Sequence, residues 1–161
     1  MNASHETSEK LKTELEDLQS EISAVGPLLD KLEVSQPDGV EIRAVATTLH
    51  AFYNGVERIF LIIAKGIDDQ VPQSVHWHRE LLDQMKDSTE RRAPVVDEKL
   101  HERLVEYLGF RHFFRHSYPM QLNWQLMEGL TKNLRKIHEE LAASLKGFIE
   151  EQPKARGDGA S

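Results

Sequence analysis

The segment DGVEIRAVATTLHAFYNGVERIFLIIAKG, residues 38–66, carries apolar side chains at intervals of three and four residues. This spacing is typical of an α-helix with one buried face. Asp38, with Glu41 three residues later, predicts a capping box at the start of the helix, and we expect Gly66 to end it. At 1.5 Å per residue the helix would be about 40 Å long, so we expect it to be part of the spine of the fold.

Similar apolar stripes lie on both sides of this segment, and each predicts another helix. Residues 11–32 form a heptad stripe that Gly26-Pro27 should interrupt. The remaining helical patterns are a short helix that Ser74 can cap, a helix over 97–107 that Gly109 should break, a piece over 110–117 and a long helix over 122–149. Because no strand pattern is found, the sequence predicts an all-α fold, an up-and-down bundle of about five to six helices.

Two further segments are polar. Residues 87–94 contain Arg91-Arg92, and we interpret them as an exposed loop. Residues 1–151 have the length of one helical domain. Residues 152–161 are rich in glycine and charged side chains, which predicts a disordered tail.

Composition disfavours several classes of function. The chain has 161 residues, a net charge of −7 and no cysteine, which excludes thiolate metal sites and cysteine nucleophiles and fits a reducing cytoplasm. No stretch approaches the roughly 18 consecutive apolar residues that a membrane span needs. Residues 1–17 are polar and acidic, unlike a signal peptide. We therefore expect a cytoplasmic protein that does not contact a membrane.

The acidic total conceals a locally basic segment. Residues 1–70 carry a net charge of −7, residues 71–161 are neutral, and residues 107–148 carry +3. Such asymmetry is typical of a chain with a charged binding face. The overall acidity nevertheless counts against a nucleic-acid-binding protein.

The densest group of chemically capable side chains is FRHFFRHSYP, residues 110–119. Histidine transfers protons near neutral pH, and arginine holds phosphate by paired hydrogen bonds. Arg111 and Arg115 are four residues apart, as are His112 and His116, so each pair shares a helix face. By composition alone, a basic amphipathic turn with no catalytic role explains the segment at least as well. A zinc site is disfavoured, because no third ligand follows the two histidines in a recognisable pattern.

Within this group, Arg111, His116 and Tyr118 form the pattern Arg-x4-His-x-Tyr. The pattern resembles the signature of HepT-like toxins in the HEPN superfamily of all-helical ribonucleases. The resemblance covers about residues 40–149, and three further stretches are similar to that group: AFYNGVER at 51–58, WHRELL at 77–82 and LNW at 122–124. One departure is His112, since many motifs of this group have asparagine after the arginine.

The resemblance implies a metal-independent endoribonuclease that needs no cofactor and acts as the toxin of a toxin–antitoxin pair. Carried over by residue, Arg111 and His116 are the catalytic pair. Tyr118 is the position that the partner, a minimal nucleotidyltransferase antitoxin, modifies with AMP. RNA is then the substrate, and a homodimer brings two motifs together in a shared cleft. Phe113, Phe114 and the Arg91-Arg92 loop are candidates for the border of that dimer.

The spacing of the catalytic pair sets a geometric condition. On an ideal helix Arg111 and His116 lie about 140° apart, so we expect a distorted helix near Tyr118-Pro119 that lets them converge. Two other interpretations stay open. One is a non-catalytic HEPN-type binding or adaptor module for a nucleotidyltransferase or a nucleotide. The other is a small helical regulatory or assembly protein without a ligand.

Overall fold

The computed structural model describes residues 3–116 and 122–152. Its helices are α1 (Ala3–Ala24), α2 (Gly26–Leu32), α3 (Gly39–Ile63), α4 (Trp77–Lys86), α5 (Glu98–His116) and α6 (Trp124–Glu151). These two ranges contain no β-strand, only one isolated bridge between Thr89 and Arg92. The predicted all-α bundle is confirmed. In the same two ranges, no helix combines the length and the apolar character needed to cross a membrane.

Helix α3 is the centre of the bundle, because it packs against α1, α4, α5 and α6. It begins with the predicted capping box. The Asp38 carboxylate accepts a hydrogen bond from the backbone N–H of Glu41 at 2.8 Å, and the Glu41 carboxylate accepts one from the N–H of Asp38 at 3.1 Å. The apolar face of the helix is buried at Val45, Leu49, Phe52, Val56, Ile59 and Ile63. Removal of this face from water is the main force that holds the bundle together.

Helix α1 runs antiparallel to α3. Leu18 of α1 lies against Gly55, and Thr7 lies against Gly66 just beyond α3. The predicted heptad stripe is buried at Leu11, Leu15, Leu18, Ile22, Leu29 and Leu32. The chain restarts as α2 with a proline in its first turn, as Gly26-Pro27 predicted.

Three predicted helix boundaries were wrong. Gly66 does not end the helix, because a π-helical turn over Ala64–Asp68 follows α3. The Ser74 hydroxyl does not cap α4; it accepts a hydrogen bond from the N–H of His76, the residue that precedes the helix. Gly109 does not break a helix, since α5 runs through it without interruption. A single exposed glycine lowers helix stability by only about 1 kcal/mol, which packing elsewhere on the helix outweighs.

The segment between α4 and α5 is only partly the exposed loop that we expected. Arg92 is 6% exposed and holds Asp68 at two points, with Nε to Oδ1 at 2.7 Å and Nη2 to Oδ2 at 2.8 Å. Its guanidinium also donates hydrogen bonds to the backbone carbonyls of Gln84, Asp87 and Ala93. The buried Arg92 is therefore a structural residue, and it does not offer its charge to a dimer border.

Helix α6 closes the bundle and ends close to the predicted boundary. The side chain of Asn123 accepts a hydrogen bond from the backbone N–H of Gln125 at 2.9 Å and caps the helix. The predicted tail, residues 152–161, lies outside the described residues except for Gln152.

Candidate functional site

Helix α5 points Arg111 into the bundle, toward α3. The residue is 7% exposed. Its Nε donates a hydrogen bond to Asn54 Oδ1 at 2.7 Å, and its Nη2 lies 3.8 Å from Glu57 Oε1. Asn54 and Glu57 are three residues apart on α3 and so lie on one face of that helix. The guanidinium is therefore held in one orientation at the edge of the core.

Glu57 connects Arg111 to a third helix. This carboxylate is buried, and burial of an unpaired carboxylate would be strongly unfavourable. Its second oxygen, Oε2, lies 2.6 Å from Nδ1 of His78 on α4. The His78 ring is in turn stacked on Trp77, with 3.6 Å between the ring centroids.

His50 extends the cluster along α3. Nδ2 of Asn54 lies 3.3 Å from Nδ1 of His50, and the His50 ring packs on Phe114 of α5 at 4.9 Å between centroids. Burial, followed by the nearby charges of Arg111 and Arg115, lowers the pKa of His50 below its usual value. His50 is therefore neutral near pH 7 and serves as a hydrogen-bonding and packing residue. We call Arg111 with His50, Asn54, Glu57 and His78 the Arg111 network.

His116 is the last residue of α5 and is exposed. Its Nδ1 lies 2.8 Å from the backbone oxygen of His112, and the centroids of the two imidazole rings are 4.4 Å apart, with the rings tilted by 30°. Since a backbone carbonyl only accepts, His116 donates its Nδ1–H, which leaves the lone pair of a neutral ring on Nε2. The predicted common face of His112 and His116 is thus present.

The structure does not bring the predicted catalytic pair onto one face. Helix α5 stays α-helical through His116, so the side chains of Arg111 and His116 leave it about 140° apart. Arg111 is buried while Arg115 and His116 are exposed. The distortion that we expected does not occur in the described part of this helix. Tyr118 and Pro119 lie outside the described residues.

Metal-binding geometry is not found in the part of the chain that the structure describes. No three His, Asp or Glu side chains come close enough together there to hold an ion. The exposed cluster of His112, Arg115 and His116 offers a positive charge and two imidazoles instead. What the site provides is a fixed guanidinium, oriented imidazoles and a buried carboxylate, which suit phosphate binding and proton transfer.

Sequence reasoning did not single out His50, Asn54, Glu57 or His78 for a role. A signal was nevertheless present: Asn54 and Glu57 are polar residues among the apolar side chains of the second half of α3, at a spacing that places them on one face. Three of the four, Asn54, Glu57 and His78, also lie in the stretches that carry the resemblance. Spacing along one helix could not reveal that α4 and α5 place their own polar groups against this face.

The fold and the site together define an all-helical protein in which α5 presents an arginine inward and a histidine outward. The family model described as HepT-like protein matches residues 44–152, more than half of the chain. The chain therefore belongs to the HepT-like family, and this membership relates it to HEPN toxin–antitoxin modules. No curated protein and no solved structure matches it.

Proposed function

We propose that this chain is a metal-independent endoribonuclease, the toxin of a toxin–antitoxin pair, with Arg111 and His116 as its catalytic pair. The main support is the fixed guanidinium of Arg111, which Asn54 and Glu57 orient at the rim of the core. A guanidinium in this state stabilises the charge that develops on a phosphorane without having to reorganise. His116, with its Nδ1 bonded to a carbonyl, exchanges protons through Nε2.

The reaction that fits these groups is attack of the ribose 2′-hydroxyl on the adjacent phosphate. The new bond joins O2′ to phosphorus, and the bond from phosphorus to O5′ breaks. A base removes the proton from the 2′-hydroxyl, and an acid protonates the departing 5′ oxygen. The products carry a 2′,3′-cyclic phosphate and a 5′-hydroxyl.

Single substitutions test this function. Arg111→Ala and His116→Ala should each lower the single-turnover rate of RNA cleavage by about 100-fold. Matched controls are Arg43→Ala and His76→Ala, since both residues are exposed and lie outside the Arg111 network. Wild-type rates in both catalytic variants would contradict the proposal.

A homodimer is the second part of the proposal. Because Arg111 and His116 leave α5 on different faces, one copy alone does not surround a phosphate with both groups. A two-fold dimer creates two equivalent clefts, and each cleft would take Arg111 from one copy and His116 from the other. Light scattering should then give roughly twice the chain mass of 18.5 kDa.

Mixing inactive variants tests the shared cleft directly. A heterodimer of Arg111→Ala with His116→Ala retains one of two clefts and should have about half of the wild-type activity, so an equal mixture that exchanges subunits freely should regain about a quarter. Each variant alone should stay inactive. A monomer that cleaves RNA at the wild-type rate, or a mixture without recovery, would contradict a shared cleft.

Regulation by AMP transfer to Tyr118 is the third part. The chain has three tyrosines, and Tyr53 and Tyr107 are buried. Burial raises the pKa of both phenols above the usual value, so neither is suited to modification. An AMP group on Tyr118, two residues after His116 in the sequence, would add negative charge and bulk and would compete with RNA phosphate.

Co-expression with a minimal nucleotidyltransferase tests this part. The intact mass of the wild type should rise by one AMP group, whereas Tyr118→Phe should stay unmodified and keep its nuclease activity. Tyr107→Phe is the matched control and should still be modified. Equal modification of Tyr118→Phe and the wild type would contradict the role of Tyr118.

One observation favours the non-catalytic adaptor as a second candidate function. Arg111 is largely buried and bonded within its own chain, as a purely structural arginine would be. An adaptor would bind the transferase but leave RNA intact at every enzyme concentration. Arg111→Ala and His116→Ala separate the two candidates, because they can lower the rate of RNA cleavage only if the wild type cleaves RNA.

A further inference from the structure

Glu57 joins Arg111, which the proposed mechanism uses, to His78, which it does not use. Its carboxylate is buried, with Oε1 at 3.8 Å from Nη2 of Arg111 and Oε2 at 2.6 Å from Nδ1 of His78. The guanidinium of Arg111 and the imidazole of His78 therefore contact different oxygens of the same carboxylate. A phosphate that binds Arg111 would therefore lie near the His78 ring.

The His78 ring is oriented from two sides. Trp77 stacks on one face of the ring, and Glu57 accepts the Nδ1–H. The neutral ring then carries its lone pair on Nε2. The side chain is 28% exposed, so a ligand can reach it. A carboxylate that holds one imidazole nitrogen while the other takes a proton is the arrangement of a hydrolytic triad.

We propose that His78, oriented by Glu57, is a further catalytic residue: the base that removes the proton from the 2′-hydroxyl. The inference rests on the proposed ribonuclease function and deepens it. The proton moves from the 2′-oxygen to Nε2 of His78 while O2′ bonds to phosphorus. The bond to O5′ breaks, and the 5′ oxygen takes a proton from a protonated His116. Glu57 stabilises the positive charge that forms on His78.

In this mechanism Asn54 and Glu57 position Arg111, and Glu57 also positions His78. Asn54 accepts a hydrogen bond from Nε of Arg111, and Glu57 pairs with Nη2. We therefore expect Nη1 to donate the hydrogen bond to the phosphate oxygen. In-line displacement requires the base and the acid on opposite sides of the phosphorus. Because His78 shares the Glu57 carboxylate with Arg111 of one copy and the proposed dimer supplies His116 from the other copy, two different histidines can take these two positions.

His78→Asn is the most informative substitution. The asparagine amide can donate to Glu57 much as Nδ1 of His78 does, but it has no group that accepts a proton. We expect the single-turnover rate to fall by about 100-fold, with an unchanged melting temperature and unchanged affinity for a non-cleavable 2′-deoxy analogue of the RNA. His76→Asn makes the same chemical change two residues away, at an exposed side chain, and should keep the wild-type rate.

A modified substrate distinguishes the base from the acid. RNA with sulfur in place of the 5′ oxygen at the cleaved bond releases a thiolate, which needs no proton to leave. This substrate should restore the rate of His116→Asn, because that variant lacks the acid. It should leave His78→Asn slow, because the 2′-hydroxyl still needs a base. Restoration of the rate in His78→Asn would overturn the assignment of His78 as the base.

The outcomes separate this inference from the proposed function. An active wild type with a wild-type rate in His78→Asn would overturn the inference alone. A parallel loss of melting temperature or RNA affinity in His78→Asn would show a structural role and would also overturn it. A wild type that cleaves no RNA would overturn the proposed function, and with it this inference.

Discussion

Arg91 and Arg92 are adjacent in sequence but have opposite environments. Arg91 is exposed, and its side chain donates a hydrogen bond to the carbonyl of Ile67 at 3.2 Å. Arg92 is buried against Asp68 and three backbone carbonyls. A buried pair of this kind adds little net stability over an apolar replacement of both residues, but loss of one partner leaves an uncompensated charge.

The two arginines can be compared by the same substitution. Arg92→Met should lower the free energy of unfolding by about 3–5 kcal/mol, because Asp68 loses its buried partner. Arg91→Met should change it by no more than about 0.5 kcal/mol. Urea denaturation followed by circular dichroism measures both values. Equal effects of the two substitutions would show that Arg92 is not buried in solution.

His138 on α6 is a buried imidazole without full hydrogen bonding. It is 3% exposed, and among buried side-chain atoms of the described residues its Nε2 is the one without a partner. Burial, together with the positive charge of Lys146, lowers the pKa of His138 from 6.5, although Glu139 opposes the shift. The unfolded chain therefore binds a proton on this residue more readily than the folded chain does.

This difference predicts a pH-dependent stability. As pH falls through the unfolded pKa of 6.5, the unfolded state gains a proton first, so the wild type loses stability. His138→Leu should stabilise the protein by about 1 kcal/mol at neutral pH and by more at about pH 5.5. His50 contributes in the same direction, so part of the pH dependence should remain.

Thermal unfolding at both pH values measures the effect of His138→Leu. His76→Leu is the matched control, because His76 is exposed, and it should leave the pH dependence as it is in the wild type. A gain in stability that is equal at both pH values would contradict a lowered pKa for His138.

At the scale of single elements, two glycines have different structural roles in this bundle. A Cβ added at Gly66 would collide with Thr7 of α1, whereas a Cβ added at Gly109 would meet no atom within 4 Å. Gly66 therefore permits the close packing of two segments. Gly109 is an exposed position in the middle of α5, where glycine only weakens the helix.

Alanine substitutions at Gly66 and Gly109 test these two roles. Gly109→Ala should raise the free energy of unfolding by about 0.5–1 kcal/mol, because alanine favours the helix. Gly66→Ala should lower it, because Thr7 and the start of α1 must shift. Chemical denaturation measures both. Destabilisation by Gly109→Ala would indicate a real break in α5 and would support the separate helix over 97–107 and piece over 110–117 that the sequence predicted.

Helix positions were largely predictable because apolar side chains at helical spacing must be buried on one face. The capping box at Asp38 and the restart at Gly26-Pro27 were predictable for a local reason: each depends on residues that are neighbours in sequence. The boundaries at Gly66 and Gly109 were not predictable, since a glycine acts as a stop only when packing does not support the helix beyond it.

At the scale of the whole molecule, the site forms where α4 and α5 pack against one face of α3. Helix α3 supplies Asn54 and Glu57, α4 supplies His78 and α5 supplies Arg111. The motif on α5 could be found from sequence because its residues are close together in the chain. Its surroundings could not, because their positions depend on how the helices pack. That packing also buries Arg111 and leaves His116 exposed. The motif alone does not reveal this difference.

The central claim is that these groups cleave RNA through the 2′-hydroxyl without a metal ion. Its most direct test is analysis of the ends of RNA fragments produced by the purified wild-type protein in excess EDTA. Mass spectrometry should find 2′,3′-cyclic phosphate and 5′-hydroxyl ends, and a substrate with 2′-deoxy residues throughout should stay intact. Activity that disappears with EDTA and returns with one added metal, or cleavage of the 2′-deoxy substrate, would contradict the claim.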